Sequence, residues 1–200
     1  MNANTLNPTL DDIKTGTEAR ERALKLLLWL GQVSIAMLFG GLTSAYVVRR
    51  AAGNWLHFNM PAPFFVSTAI IIISSITMNM AVQAVKKNSR QMLVRAILIT
   101  LVLGIAFGIS QFIAWTTLIR NNIYLTGSLS NPSGSFLYII TALHLAHILG
   151  GLVALSVTFF RARANKYSSS KFLGIKLCAT YWHFLDGLWV YLFLFMFFIR

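Results

Sequence analysis

The sequence is short of acid. Of its 200 residues five are Asp or Glu, against 17 Lys plus Arg, and all charged residues together make up 11%. So few charges cannot cover a water-facing surface. The 56% hydrophobic content also exceeds the ~45–50% usual in soluble domains. Lipid is therefore the expected solvent for most of the chain. Cysteine is almost missing too. Cys178 stands alone inside an apolar run, which excludes an internal disulfide and any site built from several thiolates. The first 22 residues are polar and hold four of the acids, Asp11, Asp12, Glu18 and Glu21. That pattern is neither a secretory signal nor an acid-poor transit peptide.

What is present is apolar runs. A membrane-crossing helix needs roughly 20 predominantly apolar residues, because the hydrocarbon core is ~30 Å thick and each residue rises ~1.5 Å. Five runs qualify, at about 24–48, 64–85, 92–119, 136–160 and 172–199. They are bounded by charge or by turn-forming clusters such as "NMPAP" and "SNPSGS". The expected architecture is all-α: a polytopic membrane protein with one five-helix transmembrane domain over 24–200, preceded by a polar cytoplasmic segment, 1–23.

The net charge of +12 would suggest a nucleic-acid partner in a soluble protein. Here the cations lie between apolar runs, so no nucleic acid is expected and orientation is the better reading. Lys14, Arg20, Arg22, Lys25, Lys86, Lys87, Arg90, Arg95, Arg161, Arg163, Lys166, Lys171 and Lys176 fall on one side. Only Arg49, Arg50, Arg120 and Arg200 fall on the other. By the positive-inside rule the N-terminus is cytoplasmic and the C-terminus periplasmic.

Against this apolar background a few polar residues stand out. "TALHLAHILGGLVAL" carries His144 and His147, and "YWHFLDGLW" carries His183 and Asp186, the one acid inside an apolar run. Each pair is spaced i, i+3 and so shares a helix face. At ~1.5 Å per residue all four lie near the bilayer middle at similar depth. A carboxylate there is costly and is expected to face a partner or a cavity. One reading is a metal, haem or proton-relay site. HxxH, however, lacks the glutamate and the i+4 spacing of a zinc-protease helix. The other reading is structural: interhelical hydrogen bonds across the fourth and fifth spans, to Asp186, Tyr181, Trp182 or Trp189, with Gly150 and Gly151 letting backbones approach. The structural reading is preferred, because buried polar groups are usually paired for packing.

Milder polar positions follow the same logic. "LFGGLTSA" offers a small-residue packing face from Gly40, Gly41, Ser44 and Ala45. Ser74, Ser75 and Thr77 are expected to bond back to their own helix. Gln111 is expected to face a neighbouring helix. Trp29, Trp55, Trp115 and Tyr124 suit an aromatic belt.

Taken together, these motifs resemble subunit III of the haem–copper respiratory oxidases (the cytochrome c oxidase subunit III family) in its short, five-span bacterial form. "YWHFLDGLWVYLFLF" is similar to the family's last helix, and "LYIITALHLAHILGGL" to its His-x-x-His helix. "LILTLVLGIAFGISQFIAW", "IISSITMNMA" and "MLFGGLTSAYVVRR" resemble three others, so the likeness runs in order from about Leu28 to Arg200. The resemblance implies a non-redox accessory subunit in the bacterial inner membrane. It would stabilise the catalytic subunit I and support its proton uptake, in a complex that reduces oxygen to water and pumps protons. No catalytic, cofactor or metal site is expected in this chain. Haem and copper belong to partner subunits, bound phospholipid is expected, and a respiratory supercomplex is a further partner that the resemblance admits. Two positions depart from the family pattern: Ile35 and Ala114 stand where acids are usual. Other readings are an accessory protein of a nitric oxide reductase system, a small transporter, and a membrane enzyme with His144, His147, His183 and Asp186 as ligands. The transporter reading lacks an inverted repeat or a broken span.

Overall fold

A computed structural model describes residues 10–53, 55–56, 60–127, 130–169 and 172–199. The fold is all-α, with α1 Leu10–Ala51, α2 Ala62–Lys86, α3 Arg90–Arg120, α4 Pro132–Arg163 and α5 Leu173–Phe198. All five are long and apolar enough to cross a membrane. Each apolar run read from the sequence becomes one helix; α2, α3 and α4 extend a few residues into their flanks, and α5 is one residue shorter than its run at each end. Helix α1 begins at Leu10, well before the apolar run. Ion pairs one turn apart, Glu18–Arg22 at 3.6 Å and Glu21–Lys25 at 3.7 Å, continue the helix through polar sequence.

The helix ends follow from local chemistry. Asn131 caps α4, accepting hydrogen bonds from the Ser133 backbone N–H (3.1 Å) and hydroxyl (2.8 Å), with Pro132 in the first turn. The same carboxamide oxygen accepts from the Leu56 N–H at 3.2 Å, tying the α1–α2 connection to the start of α4. Helices α2, α3 and α4 all stop the same way. Asn88, Asn122 and Asn165 take left-handed backbone angles just past the helix end. The next residue's N–H then reaches five residues back: Ser89 to Ala84 O, Ile123 to Leu118 O and Lys166 to Arg161 O, at 2.9–3.0 Å. This is the Schellman stop, with asparagine in place of the usual glycine.

Helices α2, α3, α4 and α5 close a ring of contacts, and α1 lies outside it. Helices α4 and α5 touch each other and α1, α2 packs on α3 and α5, and α3 packs on α2 and α4. Helix α1 touches neither α2 nor α3 among the described residues. The core forms two stacked clusters. One centres on Phe39, Phe64, Phe107 and Trp189, the other on Met78, Ile97, Leu155 and Trp182, and Leu152 packs against both.

Candidate functional site

The middle of the bundle is organised by the two tryptophans of α5. Trp182 is fully buried. Its indole N–H donates to Ser74 Oγ on α2 at 2.9 Å. Two glycines make room for the ring. A Cβ on Gly104 would stand 2.8 Å from Trp182 Cη2 and 2.8 Å from Leu152 Cδ2, and one on Gly151 would stand 3.0 Å from Trp182 Cζ3. Two turns on, Trp189 donates from its indole N–H to Thr68 Oγ1 at 3.1 Å. Between them Ser75 Oγ lies 2.7 Å from His183 Nδ1. The "STAIIIISS" face of α2 and the "WHFLDGLW" face of α5 are thus joined by three side-chain hydrogen bonds. Ser74 and Ser75 were expected to bond back to their own helix. They reach across to α5 instead, because indole and imidazole groups meet them there. Thr77 does bond back, to Ser74 O at 2.8 Å, and also lies 2.8 Å from Thr100 Oγ1 of α3.

The four predicted polar residues separate into two sites. His183 and Asp186 form one pair, with Nδ1 3.9 Å from Oδ2, and they face Ser75 of α2. His144 and His147 face α1: the Phe39 ring lies edge-on to both, at centroid distances of 6.2 and 5.8 Å. His144 is fully buried and also packs on Phe107 (5.9 Å) and Trp189 (5.1 Å). His147 Nδ1 lies 2.7 Å from Leu143 O. A carbonyl only accepts, so that nitrogen carries the proton. The expected side-chain hydrogen bonds from the α4 histidines to α5 are not found among the described residues. The contacts between the two helices here are the Trp189 ring against His144 and the Tyr181 hydroxyl donating to the His147 backbone carbonyl at 3.3 Å. Residue counting places the four at similar depth, but depth does not say which way a face is turned.

Several polar atoms in this layer are buried with no hydrogen-bond partner among the described residues: both ring nitrogens of His144, both carboxyl oxygens of Asp186, Nε2 of His183 and both amide atoms of Gln111. A buried polar group left unmade costs ~1–3 kcal/mol. For His144 the three aromatic contacts offset part of that, at ~0.5–1.5 kcal/mol each. Gln111, expected against a neighbouring helix, is fully enclosed. Among the described residues no three His, Cys, Asp or Glu side chains converge as metal ligands.

The glycine expectations divide. Gly151 is a close-packing glycine, and Gly104, which composition did not single out, is tighter. Gly150 is exposed, and a Cβ there would meet only Tyr181 Oη at 3.8 Å. Gly40 and Gly41 are exposed, with nothing within 4 Å of an added Cβ among the described residues. Among the described residues α1 turns Phe39, Thr43 and Tyr46 inward instead. Thr43 Oγ1 meets Tyr191 Oη at 3.1 Å, and Gln32 Nε2 donates to Thr180 O at 3.2 Å, fixing α1 to α5. The two positions where family acids are usual are apolar and packed. Ile35 lies against the core, and Ala114 is fully buried.

Known proteins are similar to this chain over most of its length. The model of the family described as cytochrome c oxidase subunit III matches residues 56–200. A protein of Nocardia farcinica named probable cytochrome c oxidase subunit 3 is 32% identical over 182 residues, covering 87% of this chain and 86% of that protein. The cytochrome c oxidase subunit 3 of Corynebacterium diphtheriae is 30% identical over 172 residues, covering 82% of each chain. That of Thermostichus vulcanus is 29% identical over 180 residues, covering 86% of this chain and 84% of the relative. With five membrane-spanning helices, a last helix built on Trp182, His183, Asp186 and Trp189, and relatives that align over nearly their whole length, this chain belongs to the cytochrome c oxidase subunit III family.

Proposed function

We propose that this chain is a non-redox accessory subunit of an aerobic haem–copper oxidase in a bacterial inner membrane, with its N-terminus cytoplasmic. It packs against the catalytic subunit I, stabilises it, and supports its proton uptake. Haem and copper lie in partner subunits. The observation that carries this reading is the division of the midplane residues. A ligand set needs its donors to converge on one point. Here the α4 histidines are spent on aromatic rings and on a carbonyl of their own helix, while the α5 pair turns to Ser75 on α2. Such groups hold helices at fixed rotation and depth, as a subunit that presents a shaped surface to a larger partner requires.

The test is to purify the oxidase from cells with and without this chain. The complex lacking it should keep its full haem and copper content and still reduce oxygen, with lower stability and slower proton uptake. Loss of a stoichiometric haem or copper together with this chain would overturn the proposal.

A further inference from the structure

Gln111 of α3 and His144 of α4 are both completely enclosed, and all four of their polar side-chain atoms lack a partner among the described residues. The α3–α4 contacts bring the two to one level. Phe107, one turn before Gln111, packs its ring on His144 at 5.9 Å. Trp115, one turn after Gln111, donates its indole N–H to Thr141 Oγ1 at 3.0 Å. Thr141 lies one turn before His144 and is fully buried as well. Residues 107, 111 and 115 follow one another on one face of α3. That face meets Thr141 and His144, so Gln111 projects against the step between them.

The neighbours offer these atoms nothing. The imidazole is flanked by the rings of Phe39, Phe107 and Trp189, at 6.2, 5.9 and 5.1 Å. The Ser110 hydroxyl is committed to Phe107 O at 2.7 Å. Ala114, about one turn after Gln111, is fully buried; its methyl carries no polar atom and takes little of the space beside the carboxamide. A neutral imidazole has one donor and one acceptor nitrogen, and a carboxamide has two N–H donors and an acceptor oxygen. A water molecule accepts from one and donates to the other, and buried polar groups that the protein leaves unpaired are the usual hosts of ordered water. We propose that one ordered water is bound in the core between α3 and α4, accepting from the Gln111 amide N–H and donating to the unprotonated ring nitrogen of His144. The water sets the His144 tautomer and ties α3 to α4 near mid-bundle, one turn from the direct bond between Trp115 and Thr141. The site is built from this chain's own residues and does not depend on the oxidase role.

The experiment images the native complex, isolated through a tag on this chain, by electron cryomicroscopy at a resolution that shows ordered water. A density peak should stand at ~2.7–3.2 Å from both a carboxamide atom of Gln111 and a ring nitrogen of His144. Gln111→Leu has similar volume and no polar atom, and it should abolish the peak. A direct bond between Gln111 and His144 overturns the proposal. So does closed packing between them without a peak, and so does a peak that persists in Gln111→Leu. The purified chain in detergent gives a second measure. Gln111→Leu and His144→Phe each leave the other group without its water, so each should lower the unfolding midpoint by roughly 2–4 °C. The double variant removes both needs together and should unfold no lower than the worse single. Losses that add would mean that the two groups share no partner, which also overturns the water link. If a variant does not fold, the map of the unaltered protein still decides. None of these outcomes involves turnover, so failure here leaves the subunit assignment standing.

Discussion

A glycine inside a helix costs ~1 kcal/mol relative to alanine, so one that persists in a membrane span needs a neighbour to explain it. Gly104 has that neighbour in the Trp182 indole, which is rigid and held by its hydrogen bond to Ser74. Gly40 has none among the described residues. Gly104→Ala should therefore lower stability by about 1 kcal/mol net, because an overpacking cost of ~1–3 kcal/mol exceeds the propensity gain. Gly104→Leu should prevent a stable fold, and Gly40→Ala should leave stability equal or raise it. Thermal unfolding of the purified chain in detergent checks this, and equal losses at both sites would sink the packing argument. The sequence displayed "LFGGLTSA" and "LGGL" as small-residue patterns of similar appearance. What separates them is the orientation of a bulky ring on another helix, which no local pattern encodes.

Between residues and the bundle lies the seam of α2 and α5, where Ser74, Ser75 and Thr68 meet Trp182, His183 and Trp189. Interhelical hydrogen bonds in membranes average only ~0.6 kcal/mol, so the seam sets rotation more than it adds stability. Asp186 sits in this seam beside His183. Asp186→Asn keeps one acceptor oxygen, puts an amide donor in place of the other, and fills nearly the same volume. Asp186→Leu leaves His183 and Ser75 without that neighbour and forces a larger branched side chain into a filled space, at ~1–3 kcal/mol. Asp186→Leu should thus reduce recovery of the assembled oxidase more than Asp186→Asn, with turnover per assembled complex falling less than recovery in both. Normal recovery with abolished turnover in Asp186→Asn would make the carboxylate a proton carrier. The existence of each element was legible because apolar runs have a length that a bilayer defines. Their rotation was not. The i, i+3 spacing of His144 with His147, and of His183 with Asp186, puts each pair on one face without saying that one face meets α1 and the other α2. The Asn88, Asn122 and Asn165 stops were present in "KKNS", "RNNI" and "RANK", where asparagine follows the last basic turn, and could have been read as left-handed caps.

At the scale of the molecule, the two ends of the bundle differ in charge as sharply as the sequence implied, and the fold shows that the segments of like charge meet. Asn88 of the α2–α3 turn exchanges two hydrogen bonds with Ser169 of the α4–α5 loop, at 2.9 and 3.1 Å. Arg90 donates to Arg163 O at 2.6 Å, and Arg20 and Lys25 of α1 line one cavity with Arg161, Lys166 and Lys176. The cation-rich segments therefore share one end, and the α1–α2 and α3–α4 connections share the other, where Leu56 reaches Asn131. An odd number of crossings separates the two termini. Excess Lys and Arg are retained on the cytoplasmic side, which is the ground for proposing this end as the inside. A reporter active only outside should work when fused after Arg200 and fail in the 163–169 loop, and a reporter active only inside should do the reverse. Because α5 alone separates those two points, both fusions reporting the same side would mean that α5 does not cross, and the orientation argued from charge would fall with it.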